Sequence, residues 1–190
     1  MAVDRRKLII EAATKSFSLF GYKATTMEQV AKIANVGKGT IYTFFRNKEE
    51  LLDDIVTTLI KEMKAAAEEE IDEQLSFSEN LNRALFQLLE YRKVHQLTIK
   101  LFQEEREIGT PQVLDVIRKV EKAIIHYIKD KVIEAIGKGE IRPCDPEITA
   151  FIILKLYISL IFDWEQFNQP LDKDEISSLF DLYLFKGLSL

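Results

Sequence analysis

Chain breakers are scarce. Seven glycines and four prolines serve 190 residues, roughly half the usual share, and no proline lies in the first 110 residues. A β-sandwich or barrel needs a turn every few residues and is excluded. No segment alternates with period two, so no strand is predicted. Cysteine is almost absent. Cys144 stands alone, which excludes an internal disulfide framework and a cysteine-rich zinc site and suits a cytoplasmic protein. Catalytic motifs are missing as well. There is no His-Glu-x-x-His and no Gly-x-Ser-x-Gly. Gly37-Lys38-Gly39-Thr40 is not a phosphate loop, because its Gly-Lys pair is not followed directly by Ser or Thr. Glu104-Glu105 and Glu68-Glu69-Glu70 read as charge runs on helix surfaces. No enzyme, metal or cofactor is expected. Long apolar runs are also lacking. Residues 150–162 are the one membrane-like stretch, too short to span a bilayer and interrupted by Lys155. A helix buried among other helices is expected there, with no membrane partner. The basic start, Arg5-Arg6-Lys7, leads into no signal-like apolar segment.

What is present is an uneven charge. The net value of −5 at first discourages a nucleic-acid partner. Residues 1–48, however, hold nine Lys/Arg and three Asp/Glu, or +6, and leave 17 basic and 28 acidic residues, or −11, to the remainder. Such asymmetry points to two parts with different partners. The basic part has the footprint of a polyanion binder.

Helical spacing dominates throughout. The first helix is predicted over about 4–20, with Leu8, Ile9, Ala12, Ala13, Phe17 and Phe20 inward and Gly21 as its stop. Thr25 and Thr26 are hydroxyl N-cap candidates, with Glu28 and Gln29 three residues on. Short helices follow over about 27–34 and 38–45. Asn47 caps a fourth helix reaching about residue 72, with Glu49 and Glu50 in its first turn. Beyond Ser76-Phe77-Ser78 a stripe runs on, with a break near 93–95, to Phe102. Pro111 and Pro146 open helices to about 136 and 166, and a last helix covers about 173–186. The expected fold is all-α, about nine helices.

Two short helices about a tight turn at Asn35-Val36-Gly37 make a helix-turn-helix. Ala31 is small where the helices cross, Val36 and Ile41 fill the wedge, and Phe44 and Phe45 are expected in the core. Lys38, Thr40, Tyr42, Thr43 and Arg46 then face outward. Cations, hydroxyls and a phenol on one face suit phosphates and base edges in a major groove. Tyr42 has a plainer alternative, packing on Lys48 or on the fourth helix.

Across about residues 5–55 the chain resembles the TetR-like family of bacterial transcriptional regulators. The Phe-Gly-Tyr end of the first helix, Thr-Thr-Met-Glu-Gln-Val-Ala, and Gly-Thr-Ile-Tyr-Thr-Phe-Phe-Arg-Asn-Lys-Glu-Glu-Leu carry the likeness. The resemblance implies a helix-turn-helix DNA-binding domain over 1–47 and a helical ligand-sensing and dimerisation domain over 48–190. It implies that 38–44 is the recognition helix, with Thr40 and Tyr42 on phosphates and Lys38, Gly39 and Thr43 nearest the bases. Thr26 and Lys48 would clamp phosphates at flanking helix N-termini. Asn35 stands where members commonly have glycine, and tolerates a left-handed backbone. Gly37 stands where they commonly have serine, and offers no capping hydroxyl.

The implied function is a ligand-responsive repressor. A homodimer would hold a palindromic operator and release it when a small, mostly apolar effector enters the second domain and shifts the fourth helix. Candidate pocket residues are Leu85, Leu88, Leu89, Tyr91, Phe102, Tyr127, Phe151, Tyr157 and Trp164, with His95, Gln96, Gln103 and His126 as polar groups able to orient a ligand. Residues 151–162 are apolar nearly all round. With Ile176, Leu179, Phe180 and Tyr183 they suit a four-helix dimer bundle. Ile152, Lys155, Leu156 and Ser159 are its candidates on the first of those helices. Lys155 needs a partner if buried, either an acidic residue of a second subunit or an anionic ligand. The alternative function is a helical protein-interaction module with a basic N-terminus for an acidic partner. Salt-sensitive, sequence-selective duplex binding separates the two.

Overall fold

A computed structural model of the chain describes residues 4–94 and 96–188, with the side chains of 88–94 and 188 outside the description. Among the described residues nine helices of five residues or more follow in order: α1 (Arg5–Phe20), α2 (Met27–Ile33), α3 (Lys38–Tyr42), α4 (Lys48–Glu69), α5 (Phe77–Val94), α6 (Gln96–Ile108), α7 (Pro111–Gly137), α8 (Pro146–Ile158) and α9 (Lys173–Phe180). A π turn over Ser159–Asp163 and a 3-10 turn over Trp164–Gln166 extend α8. A π turn over Asp181–Phe185 and a closing turn, Lys186–Leu188, extend α9. No strand occurs among the described residues. None of their helices is long and apolar enough to cross a membrane.

The helices start where polar caps satisfy orphan amides. Asp4 accepts from Lys7 N, Asn47 from Glu50 N, and Asp145 from Glu147 N and Ile148 N, with Pro146 in the first turn. Asp172 and Glu175 form a capping box on α9.

The chain divides into two compact units, Met1–Glu62 with Tyr91–Val120, and Met63–Glu90 with Glu121–Leu190. In the first unit, Ile9, Ala13 and Phe17 of α1 are buried, as are Val30 of α2, Ile41 of α3, Leu51, Leu52 and Val56 of α4, Leu101 of α6 and Val113 of α7. α1 packs on α2 and α6. Phe20 departs from expectation. It ends the α1 stripe but is exposed. The second unit buries Phe77, Leu81, Leu85, Val132, Ile153, Leu154, Tyr157, Ile161, Ile176 and Phe180. Phe185 meets Phe77 edge-on at 6.4 Å and Phe180 at 6.2 Å.

The expected dimer face on the last helix is redrawn. Ile176 and Phe180 are core, Phe180 at 0 % exposure, so neither is free to meet a partner. Tyr183, seven residues after Ile176, would share its face in a regular α-helix. Instead it is 70 % exposed, while Leu184 and Phe185 are buried. The π turn is the cause, because i→i+5 bonding takes an extra residue into the turn and delays the inward face by one position. Leu179 is half-buried and Leu182 exposed. On α8, Ile148, Phe151, Ile152 and Ser159 are exposed and Leu156 is half-buried. Lys155 finds its partner in its own chain. Nζ meets Glu121 Oε1 at 2.5 Å and lies 5.8 Å from the Phe151 ring centre. Neither a second subunit nor a ligand is needed to neutralise it.

Candidate nucleic-acid interface

α2 begins at a complete capping box. Thr26 Oγ1 accepts from Gln29 N at 3.2 Å, and Gln29 Oε1 accepts from Thr26 N at 2.7 Å. Thr25 does not cap. It is fully buried, and Oγ1 donates to Gly21 O at 2.8 Å and shares a hydrogen bond with Ser16 Oγ at 3.0 Å. Asn35 turns the chain with φ +52°, the left-handed conformation that asparagine tolerates. Gly37 takes the N-cap position of α3 without a side-chain bond.

α3 is shorter than predicted, ending at Tyr42. Ile41 is its buried anchor and Phe45 is buried just beyond it. Phe44, expected in the core, is 41 % exposed. The turn past Tyr42 leaves room on the inner side for Phe45, whose ring lies 5.4 Å from the Arg6 guanidinium.

Lys38, Gly39, Tyr42, Thr43 and Arg46 are exposed and Thr40 is half-buried, so one outward face carries them. Thr43 Oγ1 donates to Thr40 O. Arg46, 88 % exposed in its side chain, pairs with Glu50, whose Oε2 accepts from Arg46 N at 2.7 Å and Nε at 3.1 Å. These bonds, the backbone one first, hold the Glu50 carboxyl below its ordinary range.

Lys48 departs from the phosphate-clamp expectation. Its Nζ donates to Tyr22 O and Thr25 O, each at 2.7 Å, and sits 4.2 Å from the Tyr22 ring centre. Burial pushes its pKa down, against Glu104, which raises it. Burial, then Glu49 and Glu104, push the Tyr22 phenol up. Lys48 thus fastens the α1–α2 loop to α4. Sequence reasoning missed this, because its acceptors are backbone carbonyls 23 and 26 residues away.

The second unit holds a cavity of about 440 Å³. Ile71, Leu75, Leu81, Ala84, Ile128 and Ala135 give it apolar walls, and Glu68, Glu73, Lys131, Glu134, Lys138 and Glu140 its polar groups. Of the expected pocket residues, Tyr127 lines it. Its hydroxyl is buried without a hydrogen-bond partner among the described residues. Burial first, then the Glu68 carboxylate, push that phenol well above the ordinary tyrosine range. Lys131 pairs with Glu68 at 3.1 Å and Lys138 with Glu134 at 2.7 Å. The other candidates do not converge on this cavity. Leu85, Phe102 and Tyr157 are core, whereas Gln103, His126, Phe151 and Trp164 are exposed. Their helical spacing marks a stripe without saying which stripe borders a void. His126 lies 3.7 Å from Asp130 at the surface. The Leu88, Leu89 and Tyr91 side chains and His95 lie outside the described residues. A second cavity, about 370 Å³, lies in the first unit among α1, α4 and α6, against Ile10, Leu19, Ile55, Leu59, Gln96 and Leu97.

Two family models match the chain. That for bacterial regulatory proteins of the tetR family covers residues 9–55, and that for the tetracyclin repressor-like C-terminal domain covers 74–188. The chain belongs to the TetR family. It is a helix-turn-helix transcriptional regulator and not an enzyme. A relative from Bacillus subtilis (strain 168), the uncharacterized HTH-type transcriptional regulator YhgD, is 64 % identical over 189 residues, covering 100 % of this chain and 99 % of the relative. The fatty acid metabolism regulator protein of the same organism is 26 % identical over 174 residues, 90 % of this chain and 88 % of that one. Among solved structures, FadR from Bacillus subtilis in complex with stearoyl-CoA shares the fold, with a TM-score of 0.76, 22 % identity and coverage of 93 % and 94 %.

Proposed function

We propose that this TetR-family regulator is a homodimeric repressor that holds a palindromic operator in the cytoplasm and lets it go when a small molecule with an apolar body binds. The observation that carries the DNA-reading part is the outward face of α3, presented by a turn closed through Asn35 and a helix anchored by Ile41. Tyr42 and Thr40 are assigned to phosphates, Lys38, Gly39 and Thr43 to bases, and Arg46 and Thr26 to flanking phosphates. Lys48 acts behind that surface, holding the loop that leads into Thr26. The exposed apolar residues of α8, Ile148, Phe151 and Ile152, fall at helical spacing. With Leu156, Ser159, Leu182 and Tyr183 they supply the face that a second copy would cover. Two recognition helices about one DNA turn apart, roughly 34 Å, read a palindrome.

The cavity beside Tyr127 supports an effector with apolar contacts along its body and a polar end near Lys131 and Lys138. The fatty acid metabolism regulator among the relatives, and the stearoyl-CoA in the FadR structure, favour such an amphipath. Selecting bound duplexes from a random pool tests the main reading. A palindromic consensus, bound more weakly as salt rises, is expected. Tyr42→Ala then weakens binding to every duplex, whereas Lys38→Ala or Thr43→Ala changes the preferred bases. Equal losses on operator and random DNA for Thr43→Ala would remove it from base reading.

A further inference from the structure

Glu104 reads in the sequence as half of a surface charge run, yet it is 4 % exposed. It lies on α6, and its carboxyl group reaches the loop between α1 and α2. Oε1 and Oε2 accept from Lys23 N at 3.0 and 3.3 Å, and Oε1 also accepts from Thr110 Oγ1 at 2.8 Å. The fit needs a bare backbone. Gly21 has φ +84°, and a Cβ built there would lie 2.6 Å from Glu104 Oε2. From the other direction Lys48 of α4 takes the carbonyls of Tyr22 and Thr25. The loop is therefore pinned by two long side chains, one from α6 and one from α4. One residue later, Thr26 caps α2, and α3 packs on α2. A carboxyl group buried this deeply is costly unless its partners are in place, so the loop and Glu104 constrain each other.

We propose that Glu104 is a positioning residue for DNA reading. Its carboxyl group sets the α1–α2 loop, and with it the helix-turn-helix, in register with α6. This rests on the operator-binding reading above. The test uses the full chain, an operator duplex selected with the unaltered protein, and a random duplex of equal length at the same salt. For Glu104→Ala, the operator-to-random affinity ratio falls about tenfold or more, the scale of a lost charge-assisted bond. Random-duplex affinity changes less than twofold, and the Lys23 amide exchanges faster with solvent. Glu104→Gln keeps one acceptor oxygen and gives an intermediate ratio. A residue that only stabilises the fold would lower Tm and leave the ratio where it was. An unchanged ratio in folded Glu104→Ala, or a Lys23 amide as protected as before, overturns the proposal. Should Glu104→Ala not fold, Glu104→Gln decides by the same two readouts. If the unaltered protein selects no sequence, the operator reading fails and this inference with it, an outcome that no variant is needed to recognise.

Discussion

Ser16, Thr25 and Glu104, buried in the helix-turn-helix unit, all have hydrogen-bond partners, whereas the Tyr127 hydroxyl, buried in the other unit beside the Glu68 carboxylate, makes no hydrogen bond of normal geometry among the described residues. Both units leave apolar side chains exposed, Leu19, Phe20, Ile33, Phe44 and Ile108 in the first. The second unit leaves Ile148, Phe151 and Ile152 exposed in one helical row on α8. A fully satisfied polar cluster fixes one geometry. Under the proposed function, the Tyr127 cavity and the α8 row are where an effector and a second copy would bind. The contrast lies in how buried polar groups are satisfied and not in completeness, since the DNA-reading unit has a cavity of its own among α1, α4 and α6.

The largest effect expected concerns the two faces of the last helix. Phe180→Ala should cost about 3–5 kcal/mol in chemical denaturation, because Phe180 is core. Tyr183→Ala should move monomer stability by no more than about 0.5 kcal/mol and instead raise the dissociation constant of the dimer in sedimentation. Reversed outcomes would put Tyr183 inside and break the comparison. Next, Lys48→Ala removes a charged donor from two carbonyls and should cost about 1.5–3 kcal/mol. A loss confined to DNA binding, with denaturation unchanged, would return Lys48 to the phosphate surface. Thr26→Ala should cost about 1 kcal/mol through loss of the α2 cap, read by denaturation.

Tyr127→Phe should be the mildest change, within about 1 kcal/mol of neutral, since an unpartnered hydroxyl contributes no bond. The same substitution bears on pH. A phenol pushed up in the folded state keeps its proton where the unfolded chain has lost it. Stability is therefore intact below the ordinary tyrosine range and declines as pH rises through and above it. Tyr22 acts in the same direction. In an ultraviolet titration these two phenols should ionise above the ordinary tyrosine range, and Tyr127→Phe should flatten the alkaline loss. A marked destabilisation by Tyr127→Phe at neutral pH would mean that the hydroxyl has a partner, and the contrast between units would weaken.

The parts legible in the sequence are those whose causes are local. The capping box of Thr26 and Gln29, one of two that the spacing offered, and the proline start at 146 involve partners within four residues, while the left-handed Asn35 was read through the family resemblance. The outward face of α3 followed from the same arithmetic. Glu104 was illegible because its amide partner lies 81 residues away, and nothing around it marks it off from Glu105. Lys155 was half legible. Its need for a partner could be read, but Glu121, 34 residues earlier, could not. The pocket candidates were partly legible for another reason. Apolar periodicity says which way a side chain points, not whether a void lies there, so Tyr157 and Leu85 turned out to be packed and Tyr127 to border a cavity.

The π turn at Asp181–Phe185 carries a consequence for chain length. Counting one residue out of it, Leu184 and Phe185 fall seven and eight positions after Ile176, where a regular α-helix keeps its inner face. The turn works as a shim, absorbing one surplus residue and passing the helix on in phase. Deleting Leu182 should therefore let an ordinary helix form with the same residues inside, whereas deleting a residue within α9 would put the remainder out of register. At this point the protein tolerates a change in the number of its residues better than a change in their kind.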